Sequence, residues 1–150
     1  MPKRYFLLLI FIFLSACTTT SGPLYSKPPV AKQDMANYIF FRPLEYEIKK
    51  YTYPSVYING TDRGGLQFGG YMVVPVKSEA QKISIQGNKF TWDFGDIDLP
   101  VHTPRAGENY YFQLSLELSG YNSYRAEVRL VDEDDAKRGL QGLRLIGGEE

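Results

Sequence analysis

The sequence predicts a mainly β domain: a β-sandwich of about seven antiparallel strands with one short C-terminal helix. Three observations carry this reading. Apolar residues recur with a period of two over most of the chain beyond Asn37. Fourteen Gly and nine Pro punctuate those runs with turns. One late segment instead spaces Ala136, Leu140 and Leu143 by four and three, the period of a helix.

Each element has its own signal. Residues 38–42 form a compact aromatic and aliphatic run ended by Pro43. Val56-Tyr57-Ile58 is a short strand stopped by the turn pair Asn59-Gly60. Residues 71–76 form a third strand, in which Pro75 predicts an edge position or a bulge because it has no N–H to donate. Ile83 and Ile85 alternate with Lys82, Ser84 and Gln86. Gly87-Asn88 turns the chain, and Phe90, Trp92 and Phe94 then alternate with Lys89, Thr91 and Asp93.

The clearest alternation follows. Tyr110, Phe112, Leu114, Leu116 and Leu118 share one face, and after a turn at residues 119–123 so do Tyr124, Ala126, Val128 and Leu130. This is a hairpin with one buried and one wet face. If Leu118 opposes Tyr124, then Glu117 opposes Arg125 and Gln113 opposes Arg129, a register worth a few tenths of a kcal/mol per charge pair. The closing helix has Asp132 as its cap, acids at 133–135, and Lys137 and Arg138 behind them, the order that suits its dipole. Gly139 and Gly142 keep it short.

Composition excludes several function classes. A length of 150 residues allows one domain. Seventeen Lys+Arg balance seventeen Asp+Glu, and a chain without basic surplus is not a nucleic-acid binder. One Cys excludes an internal disulfide framework, and one His beside it cannot build an ordinary zinc site. No cofactor or metal is expected.

The N-terminus reads as an address. Lys3 and Arg4 precede residues 5–14, YFLLLIFIFL, an apolar run too short to span a bilayer. Leu14-Ser15-Ala16-Cys17 resembles the lipobox of bacterial lipoproteins. That resemblance implies a signal peptide over residues 1–16, cleavage before Cys17, and acylation of its thiol and new amino group. Each buried lipid CH₂ contributes about 0.8 kcal/mol, so two or more chains hold a protein stably on a membrane. Thr18 stands where Asp would signal inner-membrane retention, which by analogy favours the outer membrane facing the periplasm. Removing Lys3 and Arg4 leaves 15 basic against 17 acidic residues, so the acyl chains rather than anionic lipid do the holding.

Residues 17–36 comprise the acylated Cys and a Pro-rich tether, with Pro23, Pro28 and Pro29 and no strand or helix period. Nineteen linker residues reach about 60 Å when stretched and about 25 Å as a coil. The tether is expected to stand the domain, residues 37–146, off the membrane, with a flexible tail at 147–150.

Ile39-Phe40-Phe41-Arg42-Pro43, Val56-Tyr57-Ile58-Asn59-Gly60, Gly64-Gly65-Leu66, Gly69-Gly70-Tyr71-Met72, Gly107-Glu108-Asn109-Tyr110-Tyr111-Phe112 and Leu130-Val131-Asp132-Glu133 occur in an order similar to that of the DUF2846 family of bacterial lipoprotein domains. The resemblance covers about residues 37–141. Val76-Lys77-Ser78-Glu79 departs from it, standing where the family usually has a Pro-Gly turn. The resemblance implies a small β-sandwich similar to surface-layer and carboxypeptidase-regulatory-like modules, and no catalytic residues.

Candidate chemistry is sparse. His102 sits in a loop, Val101-His102-Thr103-Pro104, and the chain has no G-x-S-x-G nucleophile turn to pair with it. Acylation of Cys17 would remove the thiolate that Cys–His catalysis needs. Asp93, Asp96 and Asp98 cluster around Gly95 but match no calcium-loop spacing, and alternation with Ile97 and Leu99 reads as a solvated strand face. Arg42 closes an apolar strand and is expected to form a structural ion pair with a carboxylate. Tyr46, Tyr51 and Tyr53 with Lys49 and Lys50 form the candidate binding surface. The expectation is a non-enzymatic envelope interaction module whose partners are the lipid bilayer and envelope proteins, contacted through the edge near Pro75 or the tyrosine loop. The alternative is a periplasmic glycan or small-ligand binding module using the three tyrosines.

Overall fold

The computed structural model describes residues 22–44, 52–87, 94–120 and 123–147. Its strands are β1 (Met35–Phe41), β2 (Ser55–Ile58), β3 (Thr61–Gly65), β4 (Gly70–Lys77), β5 (Ile83–Gln86), β6 (Ile97–Asp98), β7 (Asn109–Gly120), β8 (Ser123–Val131) and β9 (Arg144–Leu145). Its helix, α1, is Glu133–Leu140. The strands form a five-stranded sheet, β8-β7-β1-β4-β9, and a four-stranded sheet, β3-β2-β5-β6. The mainly β sandwich with one short helix is the fold that the period-two pattern predicts.

β1 is the central strand, and it is buried on both faces. Ala36, Tyr38 and Phe40 enter the core between the sheets, against Val56, Ile58, Met72, Ile85 and Phe112. Ile39 and Phe41 point the other way into a second core with Tyr71, Tyr111, Ala136, Leu140 and Leu143. A strand covered on both sides reads as an unbroken apolar run, as residues 38–41 do. The helical stripe holds: Ala136, Leu140 and Leu143 are all fully buried beneath this outer face. The Asp132 carboxylate accepts from the Asp135 N–H at 2.8 Å and caps α1 as expected.

Two features differ from an all-antiparallel, seven-stranded sandwich. β1 pairs in parallel with β7, and β4 in parallel with β9. A parallel neighbour needs a crossover of a dozen or more residues, and the β1-to-β7 connection supplies one by building the second sheet. β3, β6 and β9 raise the strand number to nine among the described residues. β6 falls where Asp96 and Asp98 alternate with Ile97 and Leu99, while the other two are hidden, because β3 reads TDRGG and β9 has two residues. The expected strand around Phe90 and Trp92 lies outside the described residues; Phe94 packs against the inter-sheet core.

Local signals hold where backbone geometry demands them. Asn59 and Gly60 both take positive φ, 52° and 78°, as a tight β2–β3 turn requires. The β1–β4 register runs from Met35↔Lys77 to Phe41↔Tyr71 without a slip, so Pro75 marks no bulge. β9 pairs only with Gly70 and Tyr71, and exposed Pro75 falls on the half of β4 beyond it. The hairpin register is as expected, with Leu118↔Tyr124, Glu117↔Arg125 and Gln113↔Arg129. Arg129 itself reaches Glu117 at 2.5 Å and Glu127 at 2.6 Å.

The tether expectation needs correction over its described part. The Leu145 N–H donates to the Pro23 carbonyl at 3.0 Å, and the Tyr25 N–H to the Leu143 carbonyl at 2.9 Å. Leu24 bridges Arg144 in antiparallel fashion, so residues 23–25 extend the five-stranded sheet past β9. The Tyr25 ring meets Tyr71 edge-on at 5.4 Å and packs into the second core. Further on, the Pro29 carbonyl accepts from the side-chain amides of Asn37 and Asn109 at 3.4 and 3.0 Å. Met35 and Ala36 already belong to β1, so strand structure begins before residue 37. Prolines and hydroxyls hid this because the segment is pinned by single backbone bonds and one aromatic ring, which leave no periodicity. Among the described residues no helix is long and apolar enough to cross a membrane.

Candidate functional site

Of the residues singled out for binding, Cys17, Tyr46, Lys49, Lys50 and Tyr51 lie outside the described residues. Tyr53 is described and is 39% exposed. Just beneath it, Arg42 is buried, and its Nη1 donates to the Thr52 carbonyl at 2.7 Å. The guanidinium carbon lies 5.6 Å from the centre of the Phe68 ring, within cation–π range. Burial pushes the Arg42 pKa down to about 10, opposed by the nearby Tyr53 phenol, so the side chain stays cationic at neutral pH. Its described contacts are a carbonyl and an aromatic face, and the expected carboxylate partner is not tested by them. Arg42 thus ties the end of β1 to Thr52, at the two ends of the sequence span that holds four of the candidate residues.

His102 lies in a loop, as expected, but is half-buried there and packs against aromatic residues at the edge of the core. Its backbone exchanges two hydrogen bonds with Gln81, at 2.8 and 3.0 Å. Its Nδ1 lies 2.7 Å from the Tyr38 hydroxyl, and its ring packs at 4.5 Å from Tyr110 and 6.3 Å from Phe112. Burial raises the Tyr38 pKa and lowers that of His102. Both shifts favour a neutral imidazole accepting from a neutral phenol. Aromatic faces hold this histidine, an arrangement that fixes a loop and offers no nucleophile.

Beside it lies a groove that sequence reasoning missed. Leu99, Pro100, Val101, His102, Phe112, Val128 and Leu130 enclose about 210 Å³ between the 99–102 loop and β8. Val101 and Leu130 are 66% and 53% exposed, so the groove opens through apolar lips. Leu130 carried a signal, since it falls on the inward face of β8.

Asp96 and Asp98 are exposed, and Asp98 pairs with Ser84 across strands. Asp93 lies outside the described residues, among which no three potential metal ligands come together. The acid run at 132–135 is used within its own helix: beyond the cap, Glu133 meets Lys137 at 3.0 Å and Asp135 pairs with Arg138.

In the second core, the buried hydroxyls of Tyr25 and Tyr111 are close enough to influence one another, yet neither makes a well-formed hydrogen bond. Burial raises both pKa values. No protein-family model and no curated protein matches the chain.

Proposed function

We propose that this chain is a bacterial lipoprotein, acylated at Cys17 and held at the outer membrane facing the periplasm, whose sandwich is a non-catalytic interaction module of the cell envelope. One observation carries the reading: Leu14-Ser15-Ala16-Cys17 closes a ten-residue apolar run behind Lys3 and Arg4, and Cys17 is the only cysteine. The same reading includes membership of the DUF2846 family. Its support is the order of the shared motifs and the elements they meet. Residues 39–41 end β1, Val56-Tyr57-Ile58-Asn59-Gly60 forms β2 and its turn, and Asn109-Tyr110-Tyr111-Phe112 opens β7.

For contact with an envelope protein, the groove beside β8 is the surface of choice. Its apolar lips would leave water for an apolar side chain of a partner, at about 25 cal/mol per Å² removed from solvent. Mass spectrometry of the native protein tests the anchor. The expected N-terminus is Cys17 carrying fatty acyl groups; an intact Met1 or a bare mature end would overturn it. Photo-crosslinking from Val101 or Leu130 in intact cells tests the module, with adducts to other envelope proteins expected and self-adducts alone counting against it. The glycan reading stands second, on the exposed Tyr53 above Arg42 and Phe68. Sacculi that retain none of the protein would remove it.

A further inference from the structure

The docked N-terminal segment fixes how an anchored domain must face its membrane. Backbone bonds hold residues 23–25 against β9 and Leu143, and the Gly22 carbonyl accepts from Arg144 Nη1 at 3.2 Å. Gly22 itself is seated so tightly that a Cβ there would fall on the Leu145 carbonyl. The chain is therefore seated on the domain from Gly22 onward, not from residue 37. From Cys17 to Gly22 there are five residue steps, which span at most about 17 Å. As a coil the same stretch reaches about 12 Å. An anchor on so short a leash cannot let the domain stand off; it draws one particular edge to the lipid.

That edge is set by the sheet order. Residues 23–25 flank β9, and β8 lies at the opposite end of β8-β7-β1-β4-β9. At about 4.8 Å per strand, β8 is about 24 Å from the leash. The near edge carries Leu24, 52% exposed, with exposed Lys27 and Arg144 around it. An apolar side chain flanked by two cations suits a phospholipid headgroup layer, where the stem of Leu24 can enter and the cations meet phosphate.

We infer that the domain sits edge-on at the bilayer, with Leu24, Lys27 and Arg144 against the lipid headgroups and β8 turned toward the periplasm. This rests on acylation at Cys17. It places the groove at Val101 and Leu130 on the side away from the membrane, and limits partners there to those that approach from the aqueous side.

The test uses the full, processed lipoprotein in vesicles containing phosphatidylethanolamine and phosphatidylglycerol, with a fraction of headgroup-spin-labelled lipid. Single cysteines are introduced as Leu24→Cys, Lys27→Cys or Leu130→Cys and labelled with a small fluorophore; the Cys17 sulfur is blocked by its acyl thioether. Quenching is expected to be several-fold stronger at positions 24 and 27 than at 130. Equal quenching at all three, or stronger quenching at 130, in protein that floats with the vesicles would overturn the orientation alone. Protein that fails to float has lost its anchor, and both the anchor and the orientation fall with it.

Discussion

Replacing Tyr25 with Ala separates a docked segment from a free linker. A free linker would not register the change. In the structure, Tyr25 lies half-buried in the second core and packs edge-on against Tyr71. Truncating a fully buried aromatic to Ala costs about 3–5 kcal/mol. Partial exposure and the surviving backbone bonds at Pro23 and Tyr25 bring the expectation to about 2 kcal/mol. For a domain of this size that lowers Tm by about 8 °C. Tyr25→Phe is the paired control. It keeps the ring and deletes a buried hydroxyl that makes no well-formed hydrogen bond, so stability should be unchanged or rise by up to about 1 kcal/mol. Urea denaturation of the chain from Thr18 onward, with thermal unfolding beside it, reads both effects. Tyr25→Ala with an unchanged midpoint would refute the docking, and Tyr25→Phe as damaging as Tyr25→Ala would show that the hydroxyl, not the ring, holds the segment.

Three further outcomes are expected. His102 is the only histidine, and burial lowers its pKa, so the unfolded chain takes up a proton near pH 6.5 that the native state refuses. Stability should therefore fall as pH drops below about 6.5, and His102→Asn should flatten the slope just below that pH in urea titrations. Gly139→Ala adds a Cβ 2.6 Å from the buried Phe41 ring; overpacking of about 1–3 kcal/mol should outweigh the gain of about 1 kcal/mol in helix propensity, and a higher Tm would contradict this. Arg42→Met keeps the stem but leaves the Thr52 carbonyl without its donor, with an expected loss of about 1–3 kcal/mol by denaturant unfolding.

The sequence made legible what depends on alternation or on a special backbone conformation. The β7–β8 register could be written down from side-chain pairing alone, and Asn59-Gly60 forms the turn that its residues allow. The Asp132 cap and the stripe through Leu143 were equally visible. What escaped was non-local. Nothing in residues 38–41 says that the neighbour of β1 is a parallel strand seventy residues on, because either pairing buries the same side chains. β3 and β9 carry no apolar alternation, since their pairing rests on backbone bonds. The groove at Val101 and Leu130 was invisible because it joins a loop to a distant strand, and alternation along β8 marks Leu130 as inward without saying what covers it. Tyr38 and His102 each looked ordinary, and only the fold puts them 2.7 Å apart.

β1 explains why the N-terminal segment had to dock. A strand at the centre of a five-stranded sheet presents two apolar faces, and the four-stranded sheet covers only one. Helix α1 has eight residues, about 12 Å, and cannot cover the other face alone. Tyr25 and the stretch leading to Pro29 complete the cover, over Tyr71 on one side and at the Asn37–Asn109 pair on the other. The segment that would carry the proposed anchor is thus also part of the packing around the central strand. If Cys17 is acylated as proposed, a pull on the anchor would act directly on the second core, and loosening that core would lengthen the leash by the residues it releases. Undocking as far as Pro29 adds seven residue steps, about 24 Å of reach. In the anchored form proposed above, stability of the second core and distance from the membrane would therefore be one variable, and a partner that binds over Tyr25 or Tyr71 would change both together.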